Sequence, residues 1–152
     1  MSDVAIREIK PNDRAQWQSL FADYNAFYDR VGPTALPREI VEATWQRFLD
    51  PAEPVHAVVA EQGGRLVGLA HYLFHRSTTQ IELTCYLQDL YTSEQSRGAG
   101  VGRKLILAVY DRARALGSPK VYWQTHETNK TAMRLYNKVA ERSGFIVYRK
   151  LL

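Results

Sequence analysis

The chain of 152 residues has almost nothing that would staple or anchor it. Its one cysteine, Cys85, excludes an internal disulfide framework and a multi-cysteine metal site. Set among β-prone neighbours, Cys85 reads as a small apolar core residue. No apolar run approaches the ~20 residues of a membrane-spanning helix. The opening stretch MSDVAIREIK lacks the apolar core of a secretory signal, so a cytoplasmic protein is expected. Internal repeats, low-complexity tracts and linkers are missing, which fits one domain over residues 1–152. So are dense Lys/Arg clusters and known nucleic-acid modules, so nucleic acid is not expected as a partner.

Charge is present but unevenly placed. Residues 1–92 hold 8 Lys and Arg against 12 Asp and Glu, whereas residues 93–152 hold 12 against 4. The basic second half points to an anionic ligand. The acidic first half would suit a cationic substrate. Its region 13–53 carries a net charge of −3, and Tyr24, Phe27 and Tyr28 are interleaved with Asp23 and Asp29. Carboxylates beside aromatic faces suit an alkylammonium, so these five residues are candidate substrate contacts.

Periodicity gives the elements. VAIREI is β-prone. From Asp13, Trp17, Leu20, Phe21, Tyr24, Phe27 and Tyr28 follow helical spacing, and GPTALP ends that helix. Arg38 to Leu49 predicts a second helix, closed by Asp50-Pro51. Two β-branched runs around Gly63-Gly64 predict a hairpin. The run QIELTCYLQDLYT predicts a third long strand, Val101 to Leu116 a helix stopped by Gly117, and KVYWQT another strand. A helix is expected from Thr128 or Asn129 to about Ser143, and FIVYRKLL as a closing strand. The order β-α-α-β-β-β-α-β-α-β predicts a mixed α/β sheet with helices on its faces.

The segment QSRGAGVGRK stands out between a strand and a helix. Its glycine spacing fits neither a Walker A loop nor a dinucleotide-binding turn. Gly98, Gly100 and Gly102 would let successive backbone N–H groups face one concavity, at the positive end of the following helix. Arg97, Arg103 and Lys104 add charge, and a pyrophosphate suits that arrangement.

Gln95-x-x-Gly98-x-Gly100 matches the signature of the GNAT superfamily of acetyl-CoA-dependent N-acetyltransferases. NKTAMRLYNKVAERSGF resembles that family's second cofactor segment. The chain looks closest to the small branch containing polyamine and histone-type enzymes. The resemblance implies a GNAT-like, mostly antiparallel sheet and transfer of an acetyl group from acetyl-CoA to a primary amine by direct attack. A small or flexible cationic amine, or a lysine side chain, would be the acceptor. A non-catalytic acyl-CoA-binding module is the alternative reading. The resemblance further implies that Leu90, Tyr91 and Thr92 pair with the pantetheine arm. Gln95, Arg97, Gly98, Ala99, Gly100, Val101, Gly102 and Arg103 would surround the pyrophosphate. Asn129 would bind pantetheine or simply cap its helix. Tyr136 matches the general acid.

The base is open. The branch carries a Glu-Asp pair where this chain has Gln88-Asp89, and Gln88 cannot take a proton. By simple alternation Asp89 lies on the opposite face from Gln88. Asp89 or Glu82 is the candidate base, with Glu127 and His126 as further possibilities. His71 and His75 share a strand face but lack a third ligand, so no metal is expected; His56 carries no signal. The family often dimerises, and the apolar segment Phe145–Leu152 is a candidate surface for a homodimer.

Overall fold

The computed structural model describes residues 3–152. Five strands form one sheet in the order β1-β2-β3-β4-β5. They are β1 (Ala5–Glu8), β2 (Val55–Gln62), β3 (Arg65–His75), β4 (Thr84–Thr92) and β5 (Val121–Tyr122). All neighbours run antiparallel except β4 and β5, which are parallel. The β2–β3 hairpin closes at Gly63 and Gly64, whose φ values of 57° and 79° suit the tight turn that the sequence implies.

The helices are α1 (Arg14–Phe27), α2 (Arg38–Leu49), α3 (Val101–Ala115) and α4 (Lys130–Val139). Each sheet face has its own apolar cluster. Trp17, Leu20, Phe21 and Tyr24 of α1 and Trp45 of α2 pack on Val59, Leu66 and Leu69. Val101, Leu105, Ile106, Val109 and Ala113 of α3 pack on Val58, Ala70, Tyr72, Cys85 and Leu87 across the sheet. Cys85 is a core residue, and burial pushes its thiol up to about 12. Asp13 ties β1 to the start of α1. It accepts both Arg7 guanidinium nitrogens, at 2.8 and 2.9 Å, and the Lys10 amide. The Arg7 hydrogen bonds outweigh burial and hold its carboxyl below the usual range.

Four details differ from the sequence expectation. The third strand begins at Thr84, so Glu82 lies outside it on an exposed bend. The register of β4 on β3 shifts between His71, which faces Asp89, and Tyr72, which faces Leu87. Gln88 is left without a register partner, a bulge that breaks the simple alternation. The strand expected over KVYWQT shrinks to two residues, and Trp123 beyond it packs against Tyr136 at 5.4 Å between ring centroids. Finally, α4 stops at Val139, and residues 140–152 form neither helix nor strand. The expected closing strand does not form, and Phe145, Ile146, Val147 and Tyr148 stay uncovered although β5 ends the sheet. Phe145 and Tyr148 are 92% and 90% exposed.

Candidate active site

The short β5 determines the site. Its register with β4 covers only Cys85 and Tyr86. From Leu87 to Thr92, β4 therefore has a strand on its β3 side alone, and its other edge opens into a cleft of about 570 Å³. The cleft is lined along β4 by Leu90, Tyr91 and Thr92, and across it by Asn129, Leu135 and Tyr136. A free strand edge beside an apolar wall suits an extended chain carrying amides.

At one end the cleft meets the glycine turn. Gly98 and Gly100 have φ of 83° and 79°, in the left-handed region that favours glycine. No heavy atom lies within 4 Å of where a Cβ would stand at either position. Gly100 caps α3, so the amides of Val101, Gly102 and Arg103 lie in the first turn, where helix N–H groups lack intrahelical partners. Arg97 and Arg103 line the same end. Arg97 is already positioned, donating to the Thr92 carbonyl at 3.1 Å and lying over the Tyr91 ring. Free amides, a helix dipole and two guanidiniums fit a pyrophosphate.

At the other end the cleft narrows into a recess of about 20 Å³ lined by Tyr24, Tyr28, Leu87, Gln88, Leu90, Trp123, Gln124 and Tyr136. Tyr136 lines both cavities. Burial, with a smaller effect of Tyr28, pushes its phenol up to about 12, so it holds its proton at neutral pH. The Tyr110 hydroxyl donates to the Val139 carbonyl at 2.8 Å and fixes α4, which carries Tyr136, to α3.

The sequence candidates fall into two groups. Leu90, Tyr91, Thr92, Arg97, Gly98, Gly100, Val101, Gly102, Arg103, Asn129 and Tyr136 line the main cleft, as do Tyr24, Phe27 and Tyr28. Asn129 also caps α4, accepting from the Ala132 amide. Gln95, Ala99, Asp23, Asp29 and Glu82 are exposed and line neither cavity. Glu127 and His126 are exposed too, with the His126 ring bound to Thr128. His75 bonds the Tyr122 hydroxyl, and His56 stacks on Tyr72.

Asp89 is mostly buried behind the recess and takes a 2.8 Å hydrogen bond from His71. Burial alone would raise its pKa. The His71 bond, the Tyr24 hydroxyl and the Arg30 charge outweigh burial and hold it below the carboxylate range. Sequence reasoning missed Ser96, Thr131, Ala132 and Leu135 in the cleft and Trp123 and Gln124 in the recess. It also missed Arg30. The Arg30 guanidinium lies 5.8 Å from the Tyr24 ring centre and 5.3 Å from that of Tyr28. The faces read as open to a substrate cation already have one.

Comparison with known proteins agrees with this geometry. A profile of the acetyltransferase (GNAT) family matches residues 17–140. The D-amino-acid N-acetyltransferase HPA3 of Saccharomyces cerevisiae is 38% identical over 149 residues, covering 97% of this chain and 90% of the yeast protein. The thialysine N-epsilon-acetyltransferase of Bos taurus is 32% identical over 141 residues, covering 90% of this chain and 82% of its own. In three dimensions the chain resembles aminoglycoside N-acetyltransferase AAC(6')-Iy in complex with CoA. The TM-score is 0.81 at 19% identity, over 99% of this chain and 96% of that one.

Proposed function

The chain belongs to the GNAT acetyltransferase family, and from that premise we propose that it transfers the acetyl group of acetyl-CoA to the amine of a small amino-acid-like molecule. The observation that carries the reading is the unzipped β4 edge, which joins the α3 N-terminus to the Tyr136 phenol in one cleft. Acetyl-CoA, when bound, supplies the reactive thioester. The chain's own groups do the rest. The amides of α3 with Arg97 and Arg103 bind phosphate charge, and the β4 edge orients an extended arm. Tyr136 holds a proton for the leaving sulfur. Of the two candidate bases, Asp89 adjoins the recess, whereas Glu82 sits at the far end of β4.

Arg30 favours an acceptor with a carboxylate over a polyamine. A guanidinium fixed on two tyrosines beside the recess attracts an anion and repels a second ammonium. Relatives named for D-amino acids and thialysine fit that class. The test is thiol release across D- and L-amino acids, their decarboxylated amines, a diamine and a lysine peptide. An amino acid should exceed its decarboxylated amine in kcat/KM by about tenfold or more, the scale of one charge-assisted hydrogen bond. Arg30→Ala should erase that preference. A diamine that outruns every amino acid would overturn the acceptor class. Acetyl-CoA binding without thiol release from any amine would leave a binding module.

We further infer that the chain pairs with a second copy through residues 145–152. Six large apolar side chains there are at least 65% exposed. Each copy also carries the short β5, at the end of its own sheet. A strand seeking a ladder and a sheet with an uncovered end make a self-complementary pair. Light scattering should give twice the chain mass, and removal of residues 145–152 should give a folded monomer. A monomeric full chain at tens of micromolar would overturn this inference.

A further inference from the structure

The chain turns back on itself where α1 ends, and the turn is strained. Asp29 has φ 61°, alone among the described non-glycine residues in the left-handed region. Its amide donates to the Ala26 carbonyl at 3.0 Å, and the Arg30 amide to the Asn25 carbonyl at 2.9 Å. The Thr34 hydroxyl donates to the Asp29 carbonyl at 2.6 Å. A helix end needs nothing beyond such bonds. Here a buried side chain joins them. Asn25 is 5% exposed, and Arg30 Nε donates to its Oδ1 at 2.8 Å. An arginine Nε can only donate, so the amide oxygen, not its nitrogen, must face it.

The bond to Nε sets the guanidinium. Its centre rests over the Tyr24 and Tyr28 rings, and those two residues line both the cleft and the recess. Nη1 and Nη2 carry four N–H groups. Among the described residues none of these meets an acceptor, and Arg30 has no ion pair. An unpaired surface arginine ordinarily keeps its rotamer freedom. This one is held by a buried amide, two ring faces and a strained turn, and strain survives only where its surroundings enforce it. We propose that Asn25 is a specificity-determining positioning residue: it holds Arg30 Nε, so that Nη1 and Nη2 form a fixed fork for the carboxylate of the acceptor.

The inference rests on the amino-acid reading of the acceptor and adds what makes Arg30 selective. A carboxylate meets a guanidinium best through two parallel N–H bonds, along either the Nε–Nη edge or the Nη1–Nη2 edge. Asn25 occupies Nε, so the Nη1–Nη2 edge is the one left to a ligand. The amide oxygen orients that fork and leaves its charge intact. An aspartate in its place would orient the fork equally and neutralise it. Ordering a free arginine at the moment of binding would weaken affinity about 2- to 10-fold, and the fold removes that loss. Offsetting the buried Asp89 carboxylate is the competing role for Arg30. Asp89, however, takes its 2.8 Å bond from His71 and forms no ion pair with Arg30.

Asn25→Leu and Asn25→Asp test the proposal from two sides. Leucine has a similar volume and accepts no hydrogen bond. Aspartate keeps the Nε bond and cancels the charge. Each should shrink the kcat/KM advantage of an amino acid over its decarboxylated amine by about fivefold, with the loss in KM for the amino acid. A residue that only packs α1 would harm both acceptors alike. Placed on Arg30→Ala, Asn25→Leu should not lower kcat/KM for the amino acid further, because it acts through Arg30. An unchanged advantage in Asn25→Leu, an equal loss for both acceptors, or a further loss beyond that of Arg30→Ala would overturn the proposal.

A binding readout without turnover separates this inference from acetyl transfer. Each enantiomer of N-acetylalanine matches N-ethylacetamide but for one carboxylate. By calorimetry, the CoA-loaded wild type should bind the better enantiomer about tenfold more tightly than N-ethylacetamide, and Asn25→Leu should cut that gap to about twofold. A gap that persists in Asn25→Leu would overturn the role of Asn25 while leaving Arg30 its carboxylate. No gap in wild type would overturn both. Should no amine release thiol while the gap behaves as expected, acetyl transfer fails and the fork stands as a binding site. Should neither Asn25 variant fold, Arg30→Lys decides. It keeps the charge, loses Nε and the fork, and should lose the preference as Asn25→Leu would. A full preference in Arg30→Lys would overturn the proposal.

Discussion

Tyr136→Phe is expected to lower turnover by about 10²-fold or more while leaving acetyl-CoA binding nearly unchanged. The substitution removes one oxygen and its proton and keeps the ring. That ring has a defined place, edge-on to Trp123 at 5.4 Å and at the junction of the cleft and the recess. Its loss of function would therefore be chemical. Burial pushes the Tyr136 phenol up to about 12, so the acid form dominates at every pH an enzyme normally meets. The sign of the pH effect follows. A general acid fails as pH rises through its pKa, so kcat should show no fall assignable to Tyr136 below about pH 10. Stopped-flow thiol release against pH, with calorimetric binding of acetyl-CoA in parallel, checks both statements. Equal losses of binding and turnover would assign Tyr136 to packing, as would a variant whose melting temperature drops sharply.

The glycine turn, the hairpin and the first three helices were legible because their determinants are local. Positive φ at Gly98 and Gly100 leaves a compositional mark, and so does the Gly63-Gly64 pair. The helical spacing of Trp17, Leu20, Phe21 and Tyr24 announces a buried stripe whatever the partner. What stayed hidden depends on pairing between distant segments. The bulge at Gln88 has no signature of its own and exists only in the register of β4 on β3. It sets Asp89 opposite His71, which sequence spacing could offer only as a half-formed metal pair. Arg30 lies over Tyr24 and Tyr28 while the acids beside them face solvent, an arrangement that sequence spacing does not display. The run KVYWQT has the composition of a full strand, yet the ladder ends at Tyr122 and the Trp123 ring packs edge-on against Tyr136. That ending opens the cleft, and it is made in tertiary structure alone.

Gly100→Asp is expected to abolish the stabilisation that acetyl-CoA gives the native chain, without unfolding it. The backbone there has φ 79° and ψ 13°, a left-handed geometry that aspartate tolerates better than most residues, at a cost of about 1 kcal/mol. No heavy atom lies within 4 Å of where its Cβ would stand, so no neighbour has to move. A carboxylate at a helix N-terminus also gains from the dipole, which offsets part of that strain. The fold should therefore survive with a melting temperature within a few degrees of wild type. Binding should not survive. The same carboxylate would occupy the concavity between the α3 amides and Arg97, where phosphate charge is expected. Two like charges ~4 Å apart repel by about 4 kcal/mol at an effective dielectric of about 20. At 100 times Kd, a ligand that binds only the native state contributes about 2.7 kcal/mol. For a chain of this length that is a rise of about 5–10 °C, and the repulsion exceeds the whole of it. Gly100→Ala separates charge from backbone strain: it carries the left-handed cost with no charge and should keep most of the shift. Differential scanning fluorimetry with saturating acetyl-CoA reads all three proteins. An undiminished shift in Gly100→Asp would place the phosphates elsewhere, and an equal loss in Gly100→Ala would trace the effect to backbone geometry.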